Sequence, residues 1–157
     1  MSAVEVAVRA HAALGEGPTW DARAGRLVWV DVLGSRIHTY DPVSGRRTVL
    51  ATEQHVGAAK PRAGGGLVVN LRDGVGLYGP AESGESAAAA GGSTGTAPAG
   101  GSFRWLHREP VPGRRANDAA VAPDGSLWCG TMRYDEAPGG GTLARIAPDG
   151  TVRPLLD

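Results

Sequence analysis

Three neighbouring side chains in the second half of the sequence could bind a small polar ligand. Arg115, Asn117 and Asp118 stand just before an apolar stretch that a Pro-Asp-Gly turn divides in two. On a β-strand, Arg115 and Asn117 would face one side and Asp118 the other. A guanidinium fork and an amide can hold a carbonyl or hydroxyl group. We interpret the cluster as a ligand-binding strand end. The alternative is a solvated strand end or a cap of the turn.

Glu16 is a candidate for binding a cation. It lies between Gly15 and Gly17 and shortly before Pro18. Glycine permits a tight backbone path and proline restricts its exit, so the carboxylate should project from a stiff loop. Carboxylate oxygens suit Ca²⁺ or Mg²⁺ and also accept Zn²⁺, Mn²⁺ or Fe²⁺. From the residues alone, an ordinary solvated glutamate is the alternative.

The histidines and the cysteine show no catalytic pattern. His11, His38, His55 and His107 lack the spacing of a metal-binding pair. We predict that His38 is packed or exposed on a strand rather than catalytic. Cys129 alternates with apolar neighbours and is predicted to be a small core residue.

Short β-strands joined by tight turns are predicted along most of the chain. Runs of alternating or apolar residues are bounded by glycine, proline, aspartate and serine, which favour turns. Successive strands with such short connections form an up-and-down meander. The predicted strands are 4–10, 26–32, 36–40, 46–51, 142–147 and 152–156, with a loop at 15–18.

The strand pattern repeats along the chain. Gly25, Gly65 and Gly125 each open a similar stretch, at intervals of 40 and 60 residues. Removing the 22 residues at 81–102, which are rich in Ala, Gly and Ser, leaves 38 of the 60. A period of roughly 40 residues with several strands is typical of β-propeller blades. We therefore predict an all-β protein, with 1–157 a single partial propeller of about three blades and 81–102 a low-complexity insertion. A β-sandwich is the alternative.

Composition narrows the class of partner. The 157 residues include 16 basic and 16 acidic residues without strong clustering, which argues against nucleic acid or an anionic membrane. Cys129 is the only cysteine, so no intrachain disulfide can form. The sequence shows neither a signal peptide nor a membrane span. We expect a cytoplasmic protein.

Two long stretches closely resemble motifs of the SMP-30/gluconolactonase/regucalcin family. The first comprises GEGPTW at 15–20, LVWVD at 27–31 and IHTYDP at 37–42. The second, at 115–132, matches R-x-N-D-G-x-x-D-P-x-G-x-x-W-x-G-T-M, with Ala119 and Ala122 replacing the motif's glycine and aspartate. A glycine position with positive φ would strain alanine, so this turn is expected to differ in shape. The similarity spans nearly the whole chain apart from 81–102.

The resemblance implies both a fold and a chemistry. Members of this family are six-bladed β-propellers with one divalent metal ion in the central channel, and they hydrolyse sugar lactones and related cyclic esters. By resemblance, Glu16 is a metal ligand, Arg115 and Asn117 bind substrate, and Asp135 lies near an acidic substrate contact. The implied cofactor is Ca²⁺ or Zn²⁺, with Mg²⁺, Mn²⁺ or Fe²⁺ as alternatives. The implied partner is a small lactone.

Part of the family's site has no counterpart in this sequence. The family takes its other metal ligands and its general base from later blades, an asparagine of Ser-Asn-Gly and an aspartate of Pro-Asp-Gly. The Pro-Asp-Gly motifs at 123–125 and 148–150 stand in strand turns instead. We therefore predict no catalytic residue within this chain and interpret it as the N-terminal half of a longer protein. A calcium-binding or regulatory propeller without enzymatic activity and an inactive truncated product are the alternatives.

Overall fold

The computed structural model describes residues 4–79 and 102–156, and these residues form twelve β-strands. The predicted insertion at 81–102 lies outside them, except for Ser102, which begins a strand. Within the described residues, no helix has the length and apolar character needed to cross a bilayer. The strands are β1 (Gly15–Asp21), β2 (Arg26–Asp31), β3 (Arg36–Tyr40), β4 (Arg47–Ala51), β5 (Val56–Pro61), β6 (Leu67–Leu71), β7 (Gly74–Gly79), β8 (Ser102–Arg108), β9 (Arg114–Val121), β10 (Leu127–Arg133), β11 (Leu143–Ile146) and β12 (Val152–Leu156).

The strands form three antiparallel sheets of four, each in chain order. They are β1 to β4, β5 to β8 and β9 to β12. Neighbouring strands pair as hairpins, for example Val30 with Ile37 and Ile37 with Leu50. The predicted all-β class and up-and-down meander are confirmed.

Two predictions about the beginning of the chain are wrong. Residues 4–14 form no strand, although their polar and apolar residues alternate. The segment 15–18 is not a loop, because it belongs to β1, where Glu16 pairs with Val30 and Thr19 with Val28. Three steps along β1 therefore match two along β2, so β1 contains a β-bulge around Gly17 and Pro18. Pro18 cannot donate a ladder hydrogen bond, and a bulge is one of the few places where a strand tolerates it.

Apolar side chains hold neighbouring sheets together in two clusters. Each fully buried branched aliphatic side chain contributes about 1.5–3 kcal/mol of transfer free energy. The cluster between the first and second sheets includes Val28, Val30, Ile37, Val56 and Val69. The cluster between the second and third sheets includes Ala58, Val75, Ala119, Leu127 and Cys129. Burial raises the pKa of the Cys129 thiol to about 11, which agrees with its predicted role as a core residue.

His38 is packed in the interior, which is one of the two environments predicted for it. It is 1% exposed and stacks on Trp29 with ring centroids 5.0 Å apart. Burial, followed by the charge of Arg47, lowers the pKa of the imidazole below its ordinary value. The ring nitrogen Nε2 has no hydrogen-bond partner within residues 4–79 and 102–156. His38 therefore belongs to the packing of the first sheet.

The first strands of the three sheets meet at the centre of the molecule. β5 packs against both β1 and β9, and β1 also contacts β9. Each of these three inner strands carries one extra residue relative to its partner: β1 around Gly17, β5 at Gly57 and β9 at Asn117 and Asp118. A bulge re-aims the side chains beside it. The three bulges lie close together, so they determine which groups face the shared space.

Gly57 allows a close contact between two inner strands. A Cβ atom at this position would lie 2.2 Å from the carbonyl oxygen of Asn117 and 2.9 Å from the Cβ of Ala116. Both distances are shorter than a nonbonded carbon contact allows. The backbones of β5 and β9 therefore pack directly against each other here.

We predict that Gly57→Ala lowers the free energy of unfolding by about 1–3 kcal/mol, the usual cost of overpacking. Gly64→Ala is the matched control, because a Cβ at Gly64 meets no atom within 4 Å, and it should change stability by less than about 0.5 kcal/mol. Urea denaturation of both variants measures the difference. Equal effects of the two substitutions would contradict the close strand contact.

Candidate functional site

The bulge in β9 positions the ligand-binding residues predicted from the sequence. Cys129 pairs with Ala119 and Thr131 with Ala116, so Asn117 and Asp118 both lie opposite Gly130. Both side chains are exposed. The strict alternation predicted for this strand is therefore interrupted at Asn117 and Asp118. The Asp118 carboxylate lines a cleft between the inner strands, and neither Arg115 nor Asn117 is among the residues that line it.

Asn70 supports this bulge from the neighbouring sheet. It is 3% exposed, and its Nδ2 donates to the carbonyl oxygens of Asn117 at 3.1 Å and Gly130 at 3.0 Å. A β-bulge disrupts the ladder at these two residues, and the amide supplies the missing donors. Asn70 therefore holds the main chain on both sides of the bulge. Sequence reasoning missed it, although an asparagine inside an apolar strand is an unusual core residue.

Arg115 is a buried cation without an acidic partner in the described part of the chain. The residue is 8% exposed, and its Nη1 donates to the carbonyl oxygen of Ala116 at 3.0 Å. No carboxylate of residues 4–79 or 102–156 forms an ion pair with it. A guanidinium has five N–H donors, so the contact with Ala116 leaves most of them for other acceptors. This is the state expected of an arginine that holds a polar ligand.

His55 and Tyr134 form a pair close to Arg115. The His55 Nδ1 and Tyr134 Oη atoms lie 2.7 Å apart, which joins the approach to β5 with the segment after β10. Burial raises the pKa of the Tyr134 hydroxyl, and the nearby charges of Arg72 and Arg115 oppose that rise. Neither His55 nor Tyr134 was predicted as a site residue, because the contact joins segments 79 residues apart.

Glu16 is exposed on β1, immediately before the bulge. The bulge brings β1 to β9, since a Cβ atom on Gly17 would lie 3.4 Å from the Asp118 carboxylate. Glu16 and the 115–118 segment therefore belong to one region. Among the residues that the structure describes, no three His, Cys, Asp or Glu side chains come together to hold a metal ion. A carboxylate oxygen can take one ligand position of a divalent ion, and the described residues supply no further His, Cys, Asp or Glu group around Glu16 to complete such a site.

Lys60 joins all three inner strands. Its Nζ donates to Thr19 Oγ1 on β1 at 3.1 Å and lies 3.5 Å from Asp118 Oδ1 on β9. Lys60 itself lies on β5. The three residues line a cleft of about 550 Å³ that continues past Asp21, Ala63 and Val121. The sequence contains no motif that marks Lys60, so only the fold identifies it.

Asp135 is held in a turn after β10. Arg133 donates from Nε to Asp135 Oδ1 at 2.7 Å and from Nη2 to the other carboxylate oxygen, and the Ala137 amide also donates to it. The Arg133 hydrogen bonds are the main reason that the pKa of Asp135 falls to about 2. Its carboxylate is exposed. Asp135 is adjacent to Tyr134 and therefore to the region around Arg115.

We predict that Asn70→Ala lowers the free energy of unfolding by about 1–3 kcal/mol, because two partly buried carbonyl groups lose their donor. Amide hydrogen exchange should also become faster in 116–119. Ser126→Ala is the control, since Ser126 is also fully buried but bonds to Asp124 in another turn. It should destabilise the fold without a selective effect on 116–119. Unchanged exchange in 116–119 of Asn70→Ala would contradict the support of the bulge.

We predict that the turn at Asp135 loosens only in strong acid. Its folded-state pKa lies below the ordinary value of 3.8, so the stabilisation is complete above about pH 4 and is lost as the pH falls through about 2. In Arg133→Met, the pKa of Asp135 should rise towards 3.8. Carboxyl NMR titration measures both values, with Arg153→Met as a distant control. An identical midpoint with and without Arg133 would contradict the pairing.

Known proteins match this chain along most of its length. It is 28% identical over 149 residues to a putative sugar lactone lactonase, YvrE, of Bacillus subtilis. The aligned residues cover 94% of this chain and 45% of that protein. It is 34% identical over 140 residues to the pentonolactonase XacC of Haloferax volcanii. This alignment covers 88% of this chain and 40% of that protein. The chain thus spans less than half the length of these relatives.

A solved structure shows the same arrangement of sheets. A calcium-binding protein, regucalcin, from Agrobacterium tumefaciens superposes with a TM-score of 0.77 at 27% identity, over 96% of this chain and 45% of that one. The sequence model of the SMP-30/gluconolactonase/LRE-like region matches residues 14–157. The resemblance of the two motifs is thereby confirmed, and the chain belongs to the SMP-30/gluconolactonase/LRE-like family.

Proposed function

We propose that this chain supplies the substrate-binding half of a metal-dependent hydrolase that opens sugar lactones or related cyclic esters. The observation that carries the proposal is the buried guanidinium of Arg115, which has no acidic partner in the described residues and stands two residues from Asn117. The lactonases among its relatives support the reaction class. In the complete protein, the three sheets would be three blades of a six-bladed propeller, with a cytoplasmic location.

Arg115 and Asn117 would bind and orient the lactone. The guanidinium can donate to the ring carbonyl oxygen, where negative charge develops when the ring is attacked. The Asn117 side chain can donate to one substrate hydroxyl and accept from another. Asn70 holds the main chain beneath Asn117, so the amide would need little reorganisation on binding. Asp135 would accept a hydroxyl group at the rim.

Glu16 would be one ligand of a single divalent ion, with the other ligands outside this chain. Ca²⁺ and Zn²⁺ are the first candidates, followed by Mg²⁺, Mn²⁺ and Fe²⁺, because all of them accept carboxylate oxygen. Such an ion supplies Lewis-acid polarisation and an acidified water. No general base is assigned within this chain.

We predict that the full-length protein opens gluconolactone only with a divalent ion. Glu16→Gln and Arg115→Ala should each lower kcat/KM by about 100-fold or more, because each removes a group that acts on the transition state. Glu5→Gln and Arg153→Ala change exposed residues outside the site and should leave activity unchanged. A pH-stat assay with and without a chelator measures all of these rates.

The same assay tests a second function, calcium binding without catalysis. The similarity to a calcium-binding regucalcin supports this alternative. A protein that binds Ca²⁺ through Glu16 but opens no lactone or ester would favour it over the hydrolase. Full activity in both Glu16→Gln and Arg115→Ala would refute the assignment of these residues.

A further inference from the structure

The residues proposed to bind the lactone supply mainly hydrogen-bond donors. The Arg115 guanidinium has N–H donors and no acceptor, and the Asn117 amide adds one carbonyl oxygen and an NH₂ group. Each hydroxyl group of a sugar lactone carries a proton, and binding is weakened when that proton loses water and finds no acceptor. The site therefore needs further acceptors on the side of Arg115.

Asp135 has limited acceptor capacity left. Its carboxylate accepts from Arg133 Nε at 2.7 Å, from Arg133 Nη2 and from the Ala137 amide at 3.2 Å. An ionised carboxylate offers about four lone-pair positions, and these three contacts occupy most of them. Asp135 can accept one hydroxyl group at the rim, so a lactone with several hydroxyl groups needs another acceptor.

The Tyr134 side chain lies on the same side of the sheet as Arg115. Met132 pairs with Arg115, and the Tyr134 amide continues the pairing by donating to the carbonyl oxygen of Gly113 at 2.9 Å. Residues two apart on a strand face the same side, so Tyr134 is the diagonal neighbour of Arg115, within reach of a long side chain. Burial raises the pKa of the Tyr134 hydroxyl, and the charge of Arg115 is one of two that oppose this rise, which agrees with their proximity.

His55 holds the Tyr134 hydroxyl from the neighbouring sheet. Its Nδ1 lies 2.7 Å from Tyr134 Oη, and the two rings meet edge to face with centroids 5.5 Å apart. The His55 carbonyl oxygen accepts from the Arg72 amide at 2.9 Å, which fixes the main chain at this point. Gly57, two residues further along, packs against the Asn117 main chain. The hydroxyl is therefore held between the second and third sheets, beside the segment that carries Arg115 and Asn117.

The contact with His55 leaves an acceptor on Tyr134. A phenol hydroxyl has one proton and two lone pairs. If His55 Nδ1 carries no proton, the hydroxyl donates to it and keeps both lone pairs. If Nδ1 carries a proton, the hydroxyl accepts it and keeps one lone pair. Tyr134 is 40% exposed, and within residues 4–79 and 102–156 its hydroxyl has no second hydrogen-bond partner.

We propose that the Tyr134 hydroxyl accepts a hydrogen bond from a hydroxyl group of the bound lactone and that His55 positions it. This inference rests on the proposed lactonase function and specifies how the hydroxyl groups of the substrate are recognised. Arg115 donates to the ring carbonyl, and Tyr134 accepts from a substituent next to it. Tyr134 is then a specificity-determining residue, while His55 is a positioning residue that acts through Tyr134.

The first test is Tyr134→Phe in the full-length protein, which removes only the hydroxyl group. KM for glucono-1,5-lactone should rise by about 3- to 10-fold, the value of one hydrogen bond between uncharged groups. The kcat should stay within about twofold, because the lost contact stabilises bound substrate and transition state equally. An unchanged KM, or a loss in kcat alone, overturns the proposal.

Tyr40→Phe is the matched control. Tyr40 pairs with Leu27 on the outer strands of the first sheet, and Leu27 pairs with Trp20, at the other end of β1 from Glu16. Removing this hydroxyl should change neither KM nor kcat. An equal rise of KM in both tyrosine variants would also overturn the proposal, and urea denaturation of each variant monitors the fold.

A double-mutant cycle tests the role of His55. His55→Phe keeps an aromatic ring and removes the contact with the Tyr134 hydroxyl. It should raise KM by about two- to threefold in the wild-type background and have no effect in Tyr134→Phe, because coupled residues give non-additive effects. The same factor in both backgrounds would show that His55 acts independently of Tyr134 and would refute its positioning role.

Binding of glucitol keeps this inference separate from the lactonase proposal, because this open-chain polyol cannot be hydrolysed. If the wild-type protein opens no lactone, the lactonase function fails, and an NMR titration with glucitol then decides about Tyr134. The imidazole signals of His55 report the binding. A dissociation constant about 3- to 10-fold higher in Tyr134→Phe, but unchanged in Tyr40→Phe, would retain the hydroxyl site. Equal constants in all three proteins, or no binding by the wild type, would remove it.

Discussion

The contact between the main chains of β5 and β9 is the constraint on which the candidate site depends. Gly57 has no side chain, so the Asn117 peptide can pack directly against β5. Asn70 then donates to the carbonyl groups of Asn117 and Gly130, which the bulge removes from the normal ladder. Without the close approach, the Asn117 and Asp118 side chains would point elsewhere. The apolar clusters between the sheets stabilise the fold, but this polar contact determines the site.

The charges of the site are unevenly paired. Lys60 lies near Asp118, while Arg115 and Glu16 have no ion-pair partner among the described residues. A buried charge without a partner costs free energy, since desolvation is not offset by a Coulombic attraction. Such a cost is common at functional sites, where the missing partner is a ligand. This argument applies to the buried Arg115 guanidinium and supports its proposed role in substrate binding, whereas the exposed Glu16 carboxylate carries little such cost.

Local sequence signals predicted the outer parts of each sheet well. The strands at 36–40 and 152–156 and the Pro-Asp-Gly turns follow from side-chain alternation and turn chemistry, both of which act over a few residues. The bulges could not be predicted in this way, because a bulge depends on pairing with another strand. This explains why 15–18 was interpreted as a loop and why the alternation predicted for 115–118 is interrupted. Asn70 and Lys60 were missed for a related reason, since their partners lie 41–60 residues away.

The bulges also affect how such a site can change during evolution. A substitution alters one side chain, whereas gain or loss of one residue at a bulge reverses the facing of every residue beyond it on the inner strand. The outer strands of the sheet keep their own pairing, as in β2 to β4, where the register is regular. Single-residue insertions and deletions in β1, β5 or β9 therefore offer a route to new ligand selectivity with the same scaffold. Related sequences that differ in ligand should be aligned with gaps allowed at these three points.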